Sequence, residues 1–247
     1  FNYFIGNWKM FGDLSSIKIL KKVNIALNAF KKNKFKVIFC IPHTLIYNYS
    51  KNMQKSKIFI GAQNVHYLDS NGAYTGSINS KMIKNVGAKY IIVGHSENRL
   101  GGDSDKIVNQ KIKSCLKNKI NVILCIGESK KDKVKKHTNK ILKKQILKSL
   151  NGIKNINNII FAYEPIWSIG TGKIPKRKEL EKNIFFIKKL INNKFKKAKN
   201  IKILYGGSVG PDNISELSAI NDLSGFLIGR SSQSSKKFID IIKNWYK

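Results

Sequence analysis

The chain has 247 residues, enough for one large domain or two small ones, and 42% of them are hydrophobic, enough to fill a core. No run of about 18 apolar residues offers a membrane-spanning helix, so a membrane partner is not expected. The net charge of +33 is carried almost wholly by lysine, since arginine occurs only at Arg99, Arg177 and Arg230.

Nucleic-acid readers cluster arginine and interleave aromatics, whereas here lysine decorates every predicted helix. The charge therefore reads as solvated faces, with a positive field able to draw in a small dianion, rather than as a nucleic-acid surface. Cys40, Cys115 and Cys125 are odd in number and lack metal-ligand spacing, which favours free thiols in a reducing, cytoplasmic compartment. The opening Phe1-Asn2-Tyr3-Phe4-Ile5-Gly6-Asn7 has no basic segment ahead of an apolar one, so no targeting peptide is expected.

In chain order, a short apolar strand is predicted at Tyr3–Ile5, then a helix from Ser15 to Lys32 with Ile17, Leu20, Val23 and Leu27 on one stripe. Strands follow at Val37–Ile41, Ile58–Ile60 and Tyr90–Val93, then a helix from Ser104 to Lys117. The pattern continues with a strand at Asn121–Cys125, a helix from Lys140 to Leu150, a strand at Ile159–Ala162 and a helix from Lys178 to Phe195. Strands at Ile201–Tyr205 and Phe226–Ile228 and a helix from Ser235 to Trp245 complete it. Most of the strands are continuous apolar runs, as in parallel sheets covered on both faces. This alternation predicts an α/β fold, a closed (β/α)8 barrel forming a single domain over residues 1–247. An open doubly wound sheet is the alternative, but the first strand leads into Asn7-Trp8-Lys9 rather than a glycine-rich phosphate loop.

Barrels of this kind keep their active sites where strands end. The rim residues are Asn7 and Lys9 after the first strand, Gly94-His95-Ser96-Glu97 after the fourth and Glu164 after the sixth. Glycine-bearing loops follow at Pro165–Lys173, Gly206-Gly207-Ser208 and Gly229-Arg230. A base, an electrophile, a cation and an anion cradle on one rim suit proton transfer beside the carbonyl of a phosphorylated substrate. Singly, each residue has a structural explanation, such as a helix-start acid or a turn glycine.

The ordered segments Gly6-Asn7-Trp8-Lys9-Met10, Gly61-Ala62-Gln63-Asn64, Tyr74-Thr75-Gly76, Val93-Gly94-His95-Ser96-Glu97, Cys125-Ile126-Gly127-Glu128, Ala162-Tyr163-Glu164-Pro165-Ile166-Trp167, Ile169-Gly170-Thr171-Gly172-Lys173 and Tyr205-Gly206-Gly207-Ser208-Val209 resemble the triosephosphate isomerases over essentially the whole chain. The resemblance implies the TIM-barrel fold and interconversion of dihydroxyacetone phosphate and D-glyceraldehyde 3-phosphate, a step of glycolysis and gluconeogenesis. It implies Glu164 as the base, Lys9 as the fixed cation, Asn7 as a positioning donor and Glu97 as a carboxylate beside Lys9 and His95. It further implies that His95 polarises the carbonyl as a neutral imidazole, a role for which this family is itself the standard example. Residues 165–173 resemble a mobile lid, with the Gly170 amide reaching the phosphate and amides at Ser208, Gly229 and Arg230 completing the cradle. Thr75 resembles the tip of a loop that inserts into a partner subunit, implying a homodimer. No metal or organic cofactor is expected, because acid–base chemistry needs none and no ligand cluster appears.

Four features depart from the family pattern. Arg230 stands where a second glycine is usual, and would be strained if the site needs a left-handed backbone; its guanidinium is also placed to face the dianion. Asn98 replaces a common arginine, Ser77 replaces a usual glutamate, and the loop Leu100-Gly101-Gly102-Asp103 is one residue short. The last three bear on the dimer more than on the chemistry. Two other readings stay open at this point: a nucleic-acid-binding module, and a barrel that serves as a scaffold without activity.

Overall fold

The computed structural model describes residues 2–30, 34–196, 198 and 200–246. Eight parallel strands close into a barrel in sequence order: β1 (Asn2–Asn7), β2 (Phe35–Ile41), β3 (Ile58–Ala62), β4 (Tyr90–Val93), β5 (Asn121–Ile126), β6 (Ile159–Tyr163), β7 (Ile203–Tyr205) and β8 (Gly225–Ile228). The ring closes by pairing of β8 with β1, Phe226 opposite Phe4 and Ile228 opposite Gly6. The predicted strands and the observed ones coincide to within a residue or two.

Side chains alternate across each strand, and the alternation builds two separate cores. Tyr3, Ile5, Ile38, Cys40, Tyr90, Ile92, Ile123, Cys125, Ile160, Ala162, Leu204 and Leu227 point into the barrel. Phe4, Phe39, Ile91, Val122, Phe161 and Phe226 belong to the outer core with the helices. Both faces of every strand are apolar, which is why the runs carry no polar alternation.

The outer layer holds α1 (Ile17–Ala26), α2 (His43–Asn52), α3 (Ser80–Asn85), α4 (Ser96–Leu100), α5 (Asp105–Lys117), α6 (Lys130–Val134), α7 (Thr138–Ser149), α8 (Arg177–Lys194), α9 (Ile214–Ser218) and α10 (Ser235–Trp245). Side chains of Asn79, Ser104, Ser129 and Ser234 cap four of their N-termini by accepting a backbone N–H. The first predicted helix is broken up: α1 lies between short 3-10 turns at Leu14–Ser16 and Leu27–Phe30. Its predicted end at Lys31-Lys32 lies outside the described residues, as do Phe1 and Lys197. No helix among the described residues is long and apolar enough to cross a membrane. All three cysteines are buried and unpaired, and burial pushes the Cys115 thiol up to about 12. Such thiols stay protonated and inert at neutral pH.

Candidate active site

The inward alternation continues past the strand ends and selects the polar residues of the rim. Asn7 follows Tyr3 and Ile5 on the inner face of β1, and Glu164 follows Ile160 and Ala162 on that of β6. After β4 the left-handed Gly94 (φ 72°) turns the chain so that His95 enters the same space. A cavity of about 680 Å3 results, lined by Asn7, Lys9, His95, Glu164, the lid residues Ile169, Gly170 and Gly172, and the loops carrying Ser208, Gly229 and Arg230. Every catalytic and phosphate-cradle residue expected from the sequence lines it except Glu97, which touches it through Lys9.

Lys9 holds a left-handed backbone (φ 56°), a strain on the order of 1 kcal/mol for a residue with a side chain. Three neighbours enforce it. The Lys9 N–H donates to Asn7 Oδ1 at 3.1 Å, Gln63 Nε2 donates to the Lys9 carbonyl at 2.9 Å, and Gln233 Nε2 donates to the Trp8 carbonyl at 2.9 Å. The ammonium forms a close ion pair with Glu97.

His95 is the N-cap of α4, and its Nδ1 accepts the Glu97 N–H at 3.2 Å. An acceptor at Nδ1 needs a lone pair there, which places the single ring proton of a neutral imidazole on Nε2. That Nε2 lies 3.5 Å from Glu164 Oε1. Glu164 is 3% exposed, and its Oε2 is buried with no hydrogen-bond partner among the described residues.

Burial raises the Glu164 carboxyl above the ordinary glutamate range, with the nearby His95 the chief opposing influence. The native state thus holds this proton more tightly than the unfolded chain does. Ionised Glu164 costs the fold nothing below the unfolded pKa, and the cost grows as pH rises through the native value. Two glycines make room for this residue, Gly206 for its side chain and Gly127 for its backbone. A Cβ on Gly206 would sit 2.6 Å from Glu164 Cγ, and one on Gly127 would sit 1.8 Å from the Glu164 carbonyl oxygen.

The lid begins with a 3-10 turn at Ile166–Ser168 and lies down on the β7 loop. Ser208 Oγ donates to the Ser168 carbonyl at 2.6 Å and accepts the Gly172 N–H at 3.0 Å. The Ser168 hydroxyl, fully buried, bridges the Lys173 carbonyl at 2.5 Å and Tyr205 Oη at 2.8 Å. Trp167 donates to Glu128 Oε1 at 2.9 Å and is covered by the Lys133 ammonium, 3.5 Å above its ring centre.

Gln63, Gln233, Ser168 and Glu128 support this geometry, and sequence reasoning gave none of them a role. Two had a signal: Gln63 stands directly after β3, and Glu128, one of only 14 acidic residues, stands two residues after β5. Arg230 departs from the strained-backbone expectation, since its φ is not in the left-handed region. Thr75 sits in an exposed loop outside the cavity. A groove of about 790 Å3 between α5 and α7 is larger, but its carboxylates Asp103, Asp105 and Asp132 are engaged by Lys111, Arg99 and Ser129. No group of three His, Cys, Asp or Glu among the described residues could hold a metal.

A buried carboxylate facing the Nε2 of a histidine, at a mouth lined by Lys9, Arg230 and glycine-bearing loops, is the arrangement of a barrel enzyme that moves protons on a small anionic substrate. The triosephosphate isomerase family model matches residues 2–245. The triosephosphate isomerase of Alkaliphilus oremlandii is 36% identical over 242 residues, covering 96% of each chain, and that of Mycoplasmoides gallisepticum is 37% identical over 248, covering 98% of this chain and 97% of the relative. The crystal structure of the Bartonella henselae triosephosphate isomerase superposes with a TM-score of 0.91 at 31% identity, covering 100% of this chain and 99% of that one. The chain belongs to the triosephosphate isomerase family.

Proposed function

We propose that Glu164 and His95 carry the proton transfers of triose phosphate isomerisation, with Lys9 and the amides of Gly170, Ser208, Gly229 and Arg230 holding the phosphate. As a member of the family the chain is an isomerase that interconverts dihydroxyacetone phosphate and D-glyceraldehyde 3-phosphate, and its substrate is a phosphorylated triose. The single observation that carries the assignment of roles is Glu164 itself, a buried carboxylate with an unpartnered oxygen, 3.5 Å from the proton-bearing nitrogen of His95.

In this reading Glu164 Oε2 accepts the proton from the carbon beside the carbonyl. The C–H electrons form the carbon–carbon double bond, and the negative charge moves to the carbonyl oxygen. His95 Nε2 donates to that oxygen as charge develops, and Lys9 stabilises the enediolate electrostatically. Glu164 then returns its proton to the neighbouring carbon, while His95 Nε2 gives its proton to the former carbonyl oxygen and takes up the proton of the adjacent hydroxyl, whose carbon becomes the new carbonyl, so no atom is gained or lost. The lid keeps water out and protects the enediolate from losing phosphate. Asn7, fixed by the Lys9 N–H at its Oδ1, keeps its amide N–H groups for the substrate.

The test is turnover of glyceraldehyde 3-phosphate in a coupled assay. Wild-type protein is expected to isomerise, and His95→Gln to lose about a hundredfold in kcat. A His95→Gln enzyme within threefold of wild type would remove His95 from the chemistry.

The finer partner assignment is a homodimer within the cytoplasm, with neither nucleic acid nor membrane as partner. Support comes from the loops after β1 and β3: Met10, beside Lys9, is fully exposed, Tyr74 is 46% exposed, and Thr75 is exposed too. Sedimentation equilibrium is expected to give a dimer that weakens at low ionic strength, because a charge of +33 on each subunit opposes association. A monomer at all salt concentrations, with full activity, would refute it.

A further inference from the structure

We propose that the Arg230 guanidinium is a second cation for the substrate phosphate, acting from the outer wall of the cavity and setting affinity rather than turnover. The inference rests on the triose phosphate reading of the same site and adds to it a side chain, where the cradle there uses only the Arg230 amide.

Three observations carry it. First is position: Arg230 is the first residue of the 3-10 turn Arg230–Gln233 that follows β8, and it lines the same cavity as Lys9, Gly170 and Ser208. The adjoining Gly229 lies against Lys9, its would-be Cβ 3.9 Å from Lys9 Cε. Second is the fate of the other arginines. Arg99 donates to the Gly94 carbonyl at 2.7 Å and to Asp105 at 2.8 Å, and Arg177 donates to Glu181 at 3.0 Å and to the Ala219 carbonyl at 2.9 Å. Arg230 is exposed and, among the described residues, has neither a hydrogen bond nor an ion pair, although Asp212 lines the same cavity. Third is the state of the inner cation: the Lys9 ammonium is already shared with Glu97.

An anion entering this mouth therefore meets one compensated charge inside and one uncompensated charge at the wall. Guanidinium presents a planar fork that fits two phosphate oxygens, which a lysine cannot do. The ordinary backbone at Arg230 leaves no conformational reason against a side chain there. Phosphate does not change charge during the reaction, so contact with it is made equally in the ground and transition states and appears in KM. The contact is solvent-exposed, and salt will screen it.

The test compares wild type, Arg230→Gln, Arg230→Lys and Lys189→Gln in the coupled isomerase assay, from low to high ionic strength. Lys189, exposed on α8 away from the cavity, removes the same overall charge without touching the site. Arg230→Gln is expected to raise KM about five- to twentyfold at low salt with kcat within twofold, and the gap should narrow as salt rises. Arg230→Lys should recover part of the loss, and Lys189→Gln should stay within twofold of wild type. Inorganic phosphate, as a competitive inhibitor and by calorimetry, should lose affinity for Arg230→Gln in parallel. The proposal fails if Arg230→Gln leaves KM and phosphate affinity within twofold at low salt, or if Lys189→Gln shifts them equally. Failure of the underlying reading looks different: wild type itself would not turn over, while the phosphate titration would still report on the guanidinium.

Discussion

Replacing Glu164 by glutamine is expected to cut kcat about a thousand- to ten-thousandfold while KM changes little. Glutamine has nearly the same shape, so it fits the space left by Gly206, and the lid can still close over it. What it lacks is the lone-pair basicity of Oε2 toward a carbon acid. The substitution also removes a buried negative charge that is costly near neutral pH, since burial raises the carboxyl. The variant should therefore melt above wild type at neutral pH, and the gain should vanish in acid, where the wild-type side chain is protonated in both states. Calorimetry beside the coupled assay separates the two effects: lost turnover in a protein of equal or greater stability cannot be ascribed to unfolding. Turnover within tenfold of wild type would end the assignment of Glu164 as the base.

Gly127→Ala is expected to cost about 3 kcal/mol of stability and at least about a hundredfold in kcat. Its Cβ would fall 1.8 Å from the Glu164 carbonyl oxygen and 2.5 Å from the carbonyl carbon, both backbone atoms. The junction has no slack to absorb this. The Glu164 N–H donates to the Ile126 carbonyl at 2.8 Å, and the Ile166 N–H donates to the Glu128 carbonyl at 3.0 Å. Gln145 brackets Gly127 itself, accepting its N–H at 2.8 Å and donating to its carbonyl at 3.1 Å. Relief comes only by parting β5 from β6, which carries the base away from His95. Gly210→Ala is the control, because a Cβ there meets nothing closer than Ser231 Oγ at 3.8 Å. Chemical denaturation of both variants checks the claim, and equal midpoints would refute it.

Much of this architecture can be read from the chain, for a physical reason. Strands with both faces buried carry unbroken apolar runs, so all eight stand out, and a polar residue just beyond a strand end, such as Glu164, is conspicuous. Long helices such as α5, α8 and α10 show their stripes over three or more turns. The shorter ones do not: α3, α4, α6 and α9 have five or six residues each, too few for a period to repeat. The ten-residue α2 buries only Leu45, Ile46 and Tyr49 among Asn, Ser and Tyr, and its stripe is lost in that background. The same contrast holds at the site. Asn7 and Glu164 are visible because strand alternation places them, and His95 because the turn at Gly94 presents it just beyond β4. Gln63 also stands at a strand end, but its value, like that of Gln233 and Ser168, lies in which carbonyl or hydroxyl it reaches across the fold, and no local pattern encodes that.

Lys9 belongs to the loop after β1, yet the backbone that presents it is pinned by Gln63 from the loop after β3 and by Gln233 from the turn after β8. During synthesis the nascent polypeptide can therefore assemble most of its strands while its cationic centre remains wrongly aimed. Competence arrives only when the turn after β8 is in place and Gln233 reaches the Trp8 carbonyl, so closure of the ring and aiming of the cation are one event.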